Sequence, residues 1–341
     1  MILILTDGRH DGHAEWVVTK LRHRGADPVV FDYGLFPSQA QISLSYAAKG
    51  GVRFVMRTGR ETIELNNSKA VWLRRPTAPV AHEEIKDDMI RRAVQTDCRS
   101  FLQDLCDSLH CLWVPAPPAV VSRTQLKVSQ LKLAGELGFE VPPTLITNCP
   151  EDFLEFYRQH NGNIVSKLAG LSSLQIVDNS FCRYTEVVSK RDAGYAHSVR
   201  YCPIIFQAYV PKRFELRITV VGQQVFAAEI HSQHTNHTRH DWRRYDLDET
   251  PYFSHELPPD VAQRCIQLVQ ELGLCYGAID MVLTPDDRYV FLEINPSGQY
   301  LWIEQLTGLP ITDALCDLLM AGAQDGTRRS VSSASPSGGL L

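Results

Sequence analysis

The sequence has no apolar run approaching the roughly 20 residues that a membrane-spanning helix needs. Its apolar start, residues 1–5, is short and lacks a basic leading region, so we expect neither a signal peptide nor a membrane partner. Positive charge is not in excess, since the net charge is −5, and we expect no nucleic-acid partner. The nine cysteines include no C-x-x-C pair and are typical of free thiols in a reducing cytoplasm.

Two common nucleotide-binding signatures are missing as well. The sequence contains neither a Walker A pattern nor G-x-G-x-x-G, so it supports neither a P-loop nor a Rossmann site. What is present is ordinary globular composition, with 44% hydrophobic and 21% charged residues among 341. This length indicates two or three domains, or one composite enzyme fold.

Strand and helix patterns alternate along the first 115 residues, which predicts an α/β unit. Residues 1–7 are predicted to form a buried strand, and residues 13–25 have helical spacing. Residues 83–109 are predicted to form one long amphipathic helix. The proline-rich segment 114–125 is predicted to be a linker.

Two carboxylates and an amide near the end of the chain suit a metal site. Asp280 lies on one strand of a predicted hairpin, and Glu293 and Asn295 lie on the other. Because alternate strand residues point to one face, Glu293 and Asn295 share a face, which Asp280 can also share. Oxygen ligands of this kind suit Mg²⁺. The alternative is a hairpin with a polar face, although a carboxylate ending an apolar strand needs a partner.

Two lysines occupy positions suited to phosphate groups. Lys127 opens a helix in RTQLKVSQ, and Lys167 ends an apolar strand in NIVSKLAG. The small residues 169–174 offer backbone N–H groups that can cover phosphates. Each lysine alone is equally compatible with a surface side chain, and this alternative stays open.

The segment IFQAYVPKRFELRITVVG combines a strand, a short break and a second strand. Backbone groups of residues 207–210 can hydrogen-bond an adenine edge, with Glu215 facing the ribose. Arg217 lies two residues further on the same face and can meet a phosphate. The alternative is a charged edge strand.

In this order, these segments resemble the ATP-grasp superfamily over residues 122–319, and most closely its glutamate-ligase-like branch. Within it, VWLRRPTAP, DWRRY and NPSGQYLWIEQLTGLPI resemble the maturases of microviridin-type peptides, or graspetides. The resemblance implies an α/β (α+β) fold, with an N-terminal pre-ATP-grasp α/β domain followed by a two-lobed ATP-grasp fold. The implied divisions are residues 1–115, a central subdomain 116–200, a C-terminal subdomain 201–324 with the metal site, and a disordered tail 325–341.

The resemblance also implies a role for each candidate residue. The implied ATP ligands are Lys127, Lys167, Gln207, Ala208, Tyr209, Val210 and Glu215. Of these, the lysines would bind phosphates, the four-residue hinge the adenine, and the glutamate the ribose. The implied Mg²⁺ ligands are Asp280, Glu293 and Asn295, with two ions expected. The implied catalytic residues, which would stabilise the transferring phosphoryl group and the acyl phosphate, are Arg217 and Arg243. The segment KLAGLSS departs from many relatives because it has few glycines for a phosphate loop.

The implied activity is that of an ADP-forming ligase. ATP would convert Asp or Glu side chains of a ribosomal precursor peptide, made of leader and core, into acyl phosphates. A hydroxyl or amine of the same peptide would then close an ω-ester or ω-amide macrocycle. We expect a cytoplasmic enzyme, with a homodimer left open, and a leader groove around residues 172–190. The bond type and the ring pattern stay open.

Two other functions are also open. The same ATP ligands would serve a ligase that joins an amino acid to a protein or to a small-molecule carboxylate. A nucleotide-binding or peptide-binding module without catalysis is the other alternative. The complete set of candidate ligands argues against a module of that kind.

The segment HSQHTNHTRH places His231, His234, His237 and His240 at a spacing of three. This spacing repeats on neither a helix nor a strand, so converging zinc ligands would require a special loop. We expect instead a polar loop beside the substrate site, with zinc left open. In WLRRP, Arg74 or Arg75 is expected to brace the interface between domains.

Overall fold

The computed structural model describes residues 1–7, 11–48, 51–59, 61–168, 174–176, 179–181, 185–234 and 250–324. The predicted tail, residues 325–341, lies outside these ranges. Helices and strands are mixed along the chain, which confirms the predicted α/β (α+β) class. Among the described residues, no helix combines the length and the apolar character required to cross a membrane.

The described strands are β1 (Ile2–Thr6), β2 (Val29–Asp32), β3 (Ala40–Tyr46), β4 (Val52–Thr58), β5 (Glu61–Glu64), β6 (Ala70–Leu73), β7 (Leu112–Val114), β8 (Thr144–Thr147), β9 (Ile164–Leu168), β10 (Leu174–Ile176), β11 (Asn179–Phe181), β12 (Glu186–Val187), β13 (Ile204–Ala208), β14 (Phe214–Val221), β15 (Gln224–Ile230), β16 (Tyr252–His255), β17 (Tyr276–Leu283) and β18 (Tyr289–Asn295). The described α-helices are α1 (Gly12–His23), α2 (Asp88–Ser108), α3 (Pro118–Thr124), α4 (Lys127–Glu136), α5 (Pro150–Gln159), α6 (Lys190–Ala193), α7 (Pro259–Glu271), α8 (Leu301–Thr307) and α9 (Ile311–Gln324).

Four parallel strands form the N-terminal sheet, in the order β2-β1-β6-β7. The segments ILILT of β1 and AVWL of β6 are apolar almost throughout and buried, as expected for a parallel sheet covered on both faces. Since the strands are parallel, β1 and β6 end at the same edge. Arg74 follows β6 at this edge, and its backbone N–H donates to the carbonyl of Leu5 at 2.7 Å. A separate antiparallel sheet contains β3, β4 and β5.

Two element boundaries differ from the sequence prediction. The helix predicted over residues 83–109 begins only at Asp88, because the Asp87 carboxylate caps it by accepting from the N–H groups of Met89 and Ile90. The prediction of a linker over residues 114–125 is wrong for most of its length. Helix α3 occupies residues 118–124 and starts with Pro118, at a position where proline needs no hydrogen-bond donor.

The central sheet has the strand order β12-β9-β13-β8 and is antiparallel. It has its own small core, in which Phe153 of α5 stacks on Phe206 of β13 at 4.4 Å between ring centroids. The other buried members of this core are Ile164, Val188, Ala196 and Val199. The sheet extends to Ala208, beyond residue 200, where the sequence analysis placed the division between the two ATP-grasp subdomains.

The C-terminal sheet has five antiparallel strands, in the order β16-β15-β14-β17-β18. Every residue of β14 and of β17 is buried. One core contains residues of both strands together with Leu5 of β1 and Trp113 of β7. A second core joins β1 and β6 to helices α8 and α9. The C-terminal sheet and the N-terminal domain therefore share cores, whereas the central sheet has a separate one.

Candidate active site

Three charged side chains lie side by side on adjacent strands of the C-terminal sheet. The register places Arg217 of β14 opposite Asp280 of β17, and Asp280 opposite Glu293 of β18. Directly opposite residues of antiparallel strands share a face, so the sheet brings these three groups together. Asn295, two residues beyond Glu293, adds an amide to the same face. The sequence predicted this common face from the hairpin, although not the register of Arg217.

Arg217 and Asp280 form a buried ion pair. The Arg217 Nη1 donates to both carboxylate oxygens of Asp280, at 2.8 and 3.0 Å, and its Nη2 donates to the carbonyl of Gln299 at 2.9 Å. Their side chains are only 4% and 8% exposed. Burial opposes the charge of Arg217, but Asp280 outweighs it and holds the pKa of the guanidinium above its ordinary value. The pair is neutral overall, and it keeps the Arg217 guanidinium charged and fixed behind Asp280, which lines the cavity described below.

Glu293 is paired with the first candidate lysine. The Lys127 Nζ at the start of α4 lies 2.6 Å from Glu293 Oε2. The Asn295 Nδ2 donates to Asp280 at 3.2 Å and, more weakly, to Glu293 at 3.4 Å. One amide thus joins two carboxylates, each of which also contacts a cation. This donor set, with two carboxylates and an amide on one face, has the hard-oxygen chemistry that Mg²⁺ selects.

A cavity lies between the central sheet and the C-terminal sheet. Its candidate lining residues are Lys167, Gln207, Ala208, Tyr209, Val210, Glu215, Asp280 and Glu293. Lys167 reaches the cavity because β9 pairs with β13, where it lies opposite Ile205. The side chain of Gln207 is not directed at a ligand, since it is buried and donates to Thr144 Oγ1 at 3.0 Å. At Gln207, therefore, only the backbone groups are available to hydrogen-bond an adenine.

One charged cavity residue was not predicted from the sequence. Lys212 lines the cavity and its Nζ lies 2.5 Å from the Oε1 of Glu215, the candidate ribose ligand. Both side chains are at most 8% exposed. The available signal was the spacing of three in KRFE, but the break between β13 and β14 hides which way Lys212 points. Lys212 fixes the position of Glu215 and adds a cation to this end of the cavity.

The N-terminal domain also reaches the site. Arg74 Nη1 and Arg75 Nε both donate to the carbonyl of Ser297, at 3.3 and 3.2 Å, in the turn that follows β18. Asp11 supports Arg74, with its carboxylate 3.1 Å from the Arg74 Nε. Both arginines thus brace the interface between the domains, as the sequence predicted for at least one of them.

The turn itself leaves no room for a side chain at Gly298. A Cβ added there would lie 2.3 Å from the Cβ of Ala278 and 2.8 Å from the Arg217 Nη2. Glycine is therefore required for a close approach of backbone to the sheet. Beyond the turn, the neutral Nε2 of His13 accepts from the N–H groups of Tyr300 and Leu301, at 3.1 Å each. Burial lowers the pKa of His13, and Arg74 adds to this, against the opposing effect of Asp11.

The start of the histidine segment has a different environment. His231 Nε2 lies 2.8 Å from a Glu229 oxygen, and His255 Nδ1 lies 2.7 Å from the other. Glu229 is opposite Leu216 in register, so it projects from the face of the sheet opposite to that of Arg217. Among the residues that the structure describes, no group of three or more His, Cys, Asp or Glu side chains is arranged to bind a metal ion.

Several predicted residues lie outside the described parts of the chain. They are the catalytic candidate Arg243, the small residues 169–173 after Lys167, and the end of the histidine segment with His237 and His240. In the region predicted to hold a leader groove, the described residues include the hairpin of β10 and β11. The roles predicted for these residues stay predictions.

The chain matches two protein families. Residues 1–120 match the family described as MvdD pre-ATP grasp domain, and residues 124–319 match the RimK-like ATP-grasp domain. A search of curated proteins gives no match.

Three solved structures are similar over nearly the whole chain. The macrocyclase MdnC of Microcystis aeruginosa MRC, bound with precursor peptide MdnA, shares 30% identity over 94% of this chain and 99% of that chain, with a TM-score of 0.83. A RiPP-associated ATP-grasp ligase of Chryseobacterium gregarium, in complex with ADP and a leader and core peptide, has 30% sequence identity with this chain. The match covers 96% of this chain and 97% of that chain, with a TM-score of 0.86. The macrocyclase MdnB of Microcystis aeruginosa MRC shares 31% over 93% and 98%, with a TM-score of 0.77.

Proposed function

Since the chain belongs to the RimK-like ATP-grasp family and carries an MvdD pre-ATP-grasp domain, we propose that it is an ADP-forming ligase that macrocyclises a ribosomal precursor peptide. It activates Asp or Glu side chains and joins them to a hydroxyl or amine of the same peptide. The row of Arg217, Asp280 and Glu293 beside a cavity lined by the candidate ATP ligands carries this proposal. The near-complete coverage of peptide macrocyclases at 30% identity supports it.

The positions of the lining residues favour one direction for ATP in the cavity. The adenine lies against the backbone of residues 207–210, and Glu215, held by Lys212, binds the ribose. Lys167 binds phosphates from the central sheet, and Lys127 does so from the start of α4. The γ-phosphate then points towards Asp280 and Glu293, where Arg217 lies.

Asp280, Glu293 and Asn295 would hold Mg²⁺, and we expect two ions. Bound there, Mg²⁺ supplies neutralisation of the phosphate charge during transfer. Arg217 is kept charged and oriented by Asp280 and Gln299, so it stabilises the oxygens of the transferring group without rearrangement. With Mg²⁺ on Glu293, the Lys127 Nζ, which lies 2.6 Å from that carboxylate, would be positioned to hold a phosphate.

The reaction proceeds in two steps that balance to the loss of one water. A carboxylate oxygen of the peptide attacks the γ-phosphorus, the bond to the β,γ-bridging oxygen breaks, and ADP leaves. The hydroxyl or amine then attacks the carbonyl carbon, and inorganic phosphate leaves with one former carboxylate oxygen. The proton of the nucleophile passes to solvent. Binding of both groups in one peptide raises their effective concentration.

Mass spectrometry tests this proposal. The chain is incubated with ATP, Mg²⁺ and the small peptide encoded beside it, and we expect the loss of one water mass for each ring. Cleavage by mild base then separates esters, which open, from amides, which persist. A gain of one amino-acid residue mass would instead indicate the ligase that adds an amino acid, and an unchanged peptide with no ADP would contradict both.

A further inference from the structure

Three guanidinium groups converge on the turn of residues 296–299. Arg217 of the C-terminal sheet donates to the carbonyl of Gln299, and Arg74 and Arg75 of the N-terminal domain donate to that of Ser297. Arg74 and Arg75 are each more than 200 residues away from Ser297 along the chain. Two neutral carbonyls do not compensate three positive charges.

The carboxylates nearby compensate only two of the three. Asp280 pairs with Arg217, and Asp11 pairs with Arg74. Arg75 has no carboxylate within 4 Å among the residues described, and there its terminal nitrogens have no hydrogen-bond partner. Partial burial lowers the pKa of Arg75, and repulsion by Arg74 and Arg217 lowers it further. The cluster therefore has an excess positive charge that an anion would relieve.

Arg75 is held in place although its guanidinium edge is open. Its backbone is in the left-handed region, with φ of 44°, which a non-glycine residue adopts only when its surroundings require it. Its Nε is fixed by Ser297, which leaves the two terminal nitrogens as a planar fork. Such a fork matches the two oxygens of a carboxylate.

The position of the fork relative to the nucleotide decides what the anion can be. The turn is joined to the candidate metal site through Arg217, which donates to the carbonyl of Gln299 and pairs with the cavity-lining Asp280. The base-binding hinge of residues 207–210 is not part of this turn and lines the cavity together with Glu215. An anion at Arg75 would therefore lie at the Asp280 end of the cavity and away from the hinge, on the side where the group to be phosphorylated meets the γ-phosphate.

We propose that Arg75 is the binding site for the substrate carboxylate, and that it holds the Asp or Glu side chain of the peptide against the γ-phosphate. The identity of this carboxylate rests on the proposed function. Arg75 pairs with both oxygens of the free acid and with the acyl phosphate that replaces it. Arg75 binds the substrate directly. Arg74 holds the turn whose Ser297 carbonyl orients Arg75.

A small probe tests this without any peptide. We would titrate N-acetyl-glutamate N-methylamide and its uncharged glutamine analogue into the full chain with Mg²⁺ and ADP, with ligand-observed NMR as the readout. The wild type should prefer the glutamate probe. Arg75→Gln should weaken its binding about tenfold or more and abolish the preference, because one charge-assisted pair is lost. Arg75→Lys should retain part of it, since lysine keeps the charge but lacks the fork.

Arg92→Gln is the matched control, because Arg92 is an exposed arginine on α2 of the same domain. It should bind both probes like the wild type, and ADP affinity should be unchanged in both glutamine variants. A wild type that does not distinguish the probes would overturn the inference. Undiminished glutamate binding by a folded Arg75→Gln variant would overturn it too.

The peptide reaction separates this inference from the proposed function. If rings form and Arg75→Gln raises the KM for the peptide at least about tenfold with ATP affinity intact, both stand. Rings formed by Arg75→Gln with a wild-type KM would remove the role of Arg75 and leave the function intact. No ring from the wild type, with the glutamate preference still dependent on Arg75, would remove the function alone.

Discussion

The two walls of the cavity are built differently. The wall with Arg217, Asp280 and Glu293 lies on strands whose core is shared with the N-terminal domain. The wall with Lys167 and the hinge belongs to the central sheet, whose core contains six buried residues of its own. Arg217, Asp280 and Glu293 thus lie on the more extensively buried wall, together with Glu215. Lys167 and the start of the candidate adenine hinge lie on the wall with the independent core. Independent cores can open separately, which suits entry and release of a nucleotide.

The largest effect should come from breaking the buried pair on the shared-core wall. Arg217→Met leaves Asp280 as an uncompensated buried charge, and we expect a loss of about 3–5 kcal/mol in the free energy of unfolding together with loss of ring formation. Urea denaturation measures the first. Arg53→Met, which removes an exposed ion pair with Glu64, is the control and should leave stability nearly unchanged. A stable Arg217→Met protein would mean that this wall is less rigid than its burial indicates.

The next effect separates chemistry from stability on the same wall. Glu293→Gln keeps the size and the strand but removes a charge from the predicted metal site, so we expect ring formation to fall about 100-fold or more. Its thermal unfolding should stay close to that of the wild type, because Lys127 is partly exposed and can be hydrated. Glu136→Gln on α4 is a matched control at an exposed glutamate. Full ring formation by Glu293→Gln would contradict the mechanism.

Acid should lower the free energy of unfolding through Asp11, the carboxylate that supports Arg74 at the interface with this wall. Burial raises the pKa of Asp11, but His13 and Arg74 outweigh it and lower the pKa to about 2. A carboxyl whose folded pKa is depressed stabilises the protein above its unfolded pKa of about 4, and this contribution is lost as pH falls from about 4 to about 2. We expect about 2 kcal/mol from Asp11.

The depressed pKa of His13 also makes the folded protein less stable in acid. Protonation removes the acceptor of the Tyr300 and Leu301 N–H groups. Stability linked to His13 therefore begins to fall below about pH 6.5. Unfolding of Asp11→Asn and wild type, measured from pH 7 downwards, should show a difference that shrinks towards pH 2. Asp27→Asn, at a fully exposed aspartate, should show no such change. A difference independent of pH would contradict the assignment to Asp11.

The smallest effect is expected when one buried methylene is removed from each wall. Ile279→Val on β17 and Ile164→Val on β9 remove the same group from fully buried positions, and each should cost about 1 kcal/mol. Hydrogen exchange should differ in extent. Ile164→Val should accelerate exchange within residues 144–208, whereas Ile279→Val should accelerate it across the C-terminal sheet and the N-terminal domain together. Identical exchange patterns would show that the walls open as one unit.

Local patterns in the sequence predicted much of this arrangement. The β17–β18 hairpin follows from two apolar strands around TPDDR, whereas the pairing of Asp280 with Glu293 also depends on a register shift between Asp280 and Met281. The start of α2 was less predictable, because residues 83–86 include no proline and Ile85 continues the helical spacing of the apolar residues. The contacts of Arg74 and Arg75 with Ser297 could not be predicted from periodicity, since they depend on how two domains pack. The same limit hid the pair of Lys212 and Glu215, which depends on the direction of a break between strands.

Gly298 has a consequence for engineering the specificity of this ligase. Because any side chain at this position would collide with Ala278 and Arg217, the turn cannot gain a side chain there without moving the arginine that we propose to act on the phosphoryl group. We therefore expect a change in the accepted acid to require substitution of side chains that approach the turn from the N-terminal domain. A library for altered substrate scope would hold residues 296–299 constant and diversify the edge at which β1 and β6 end.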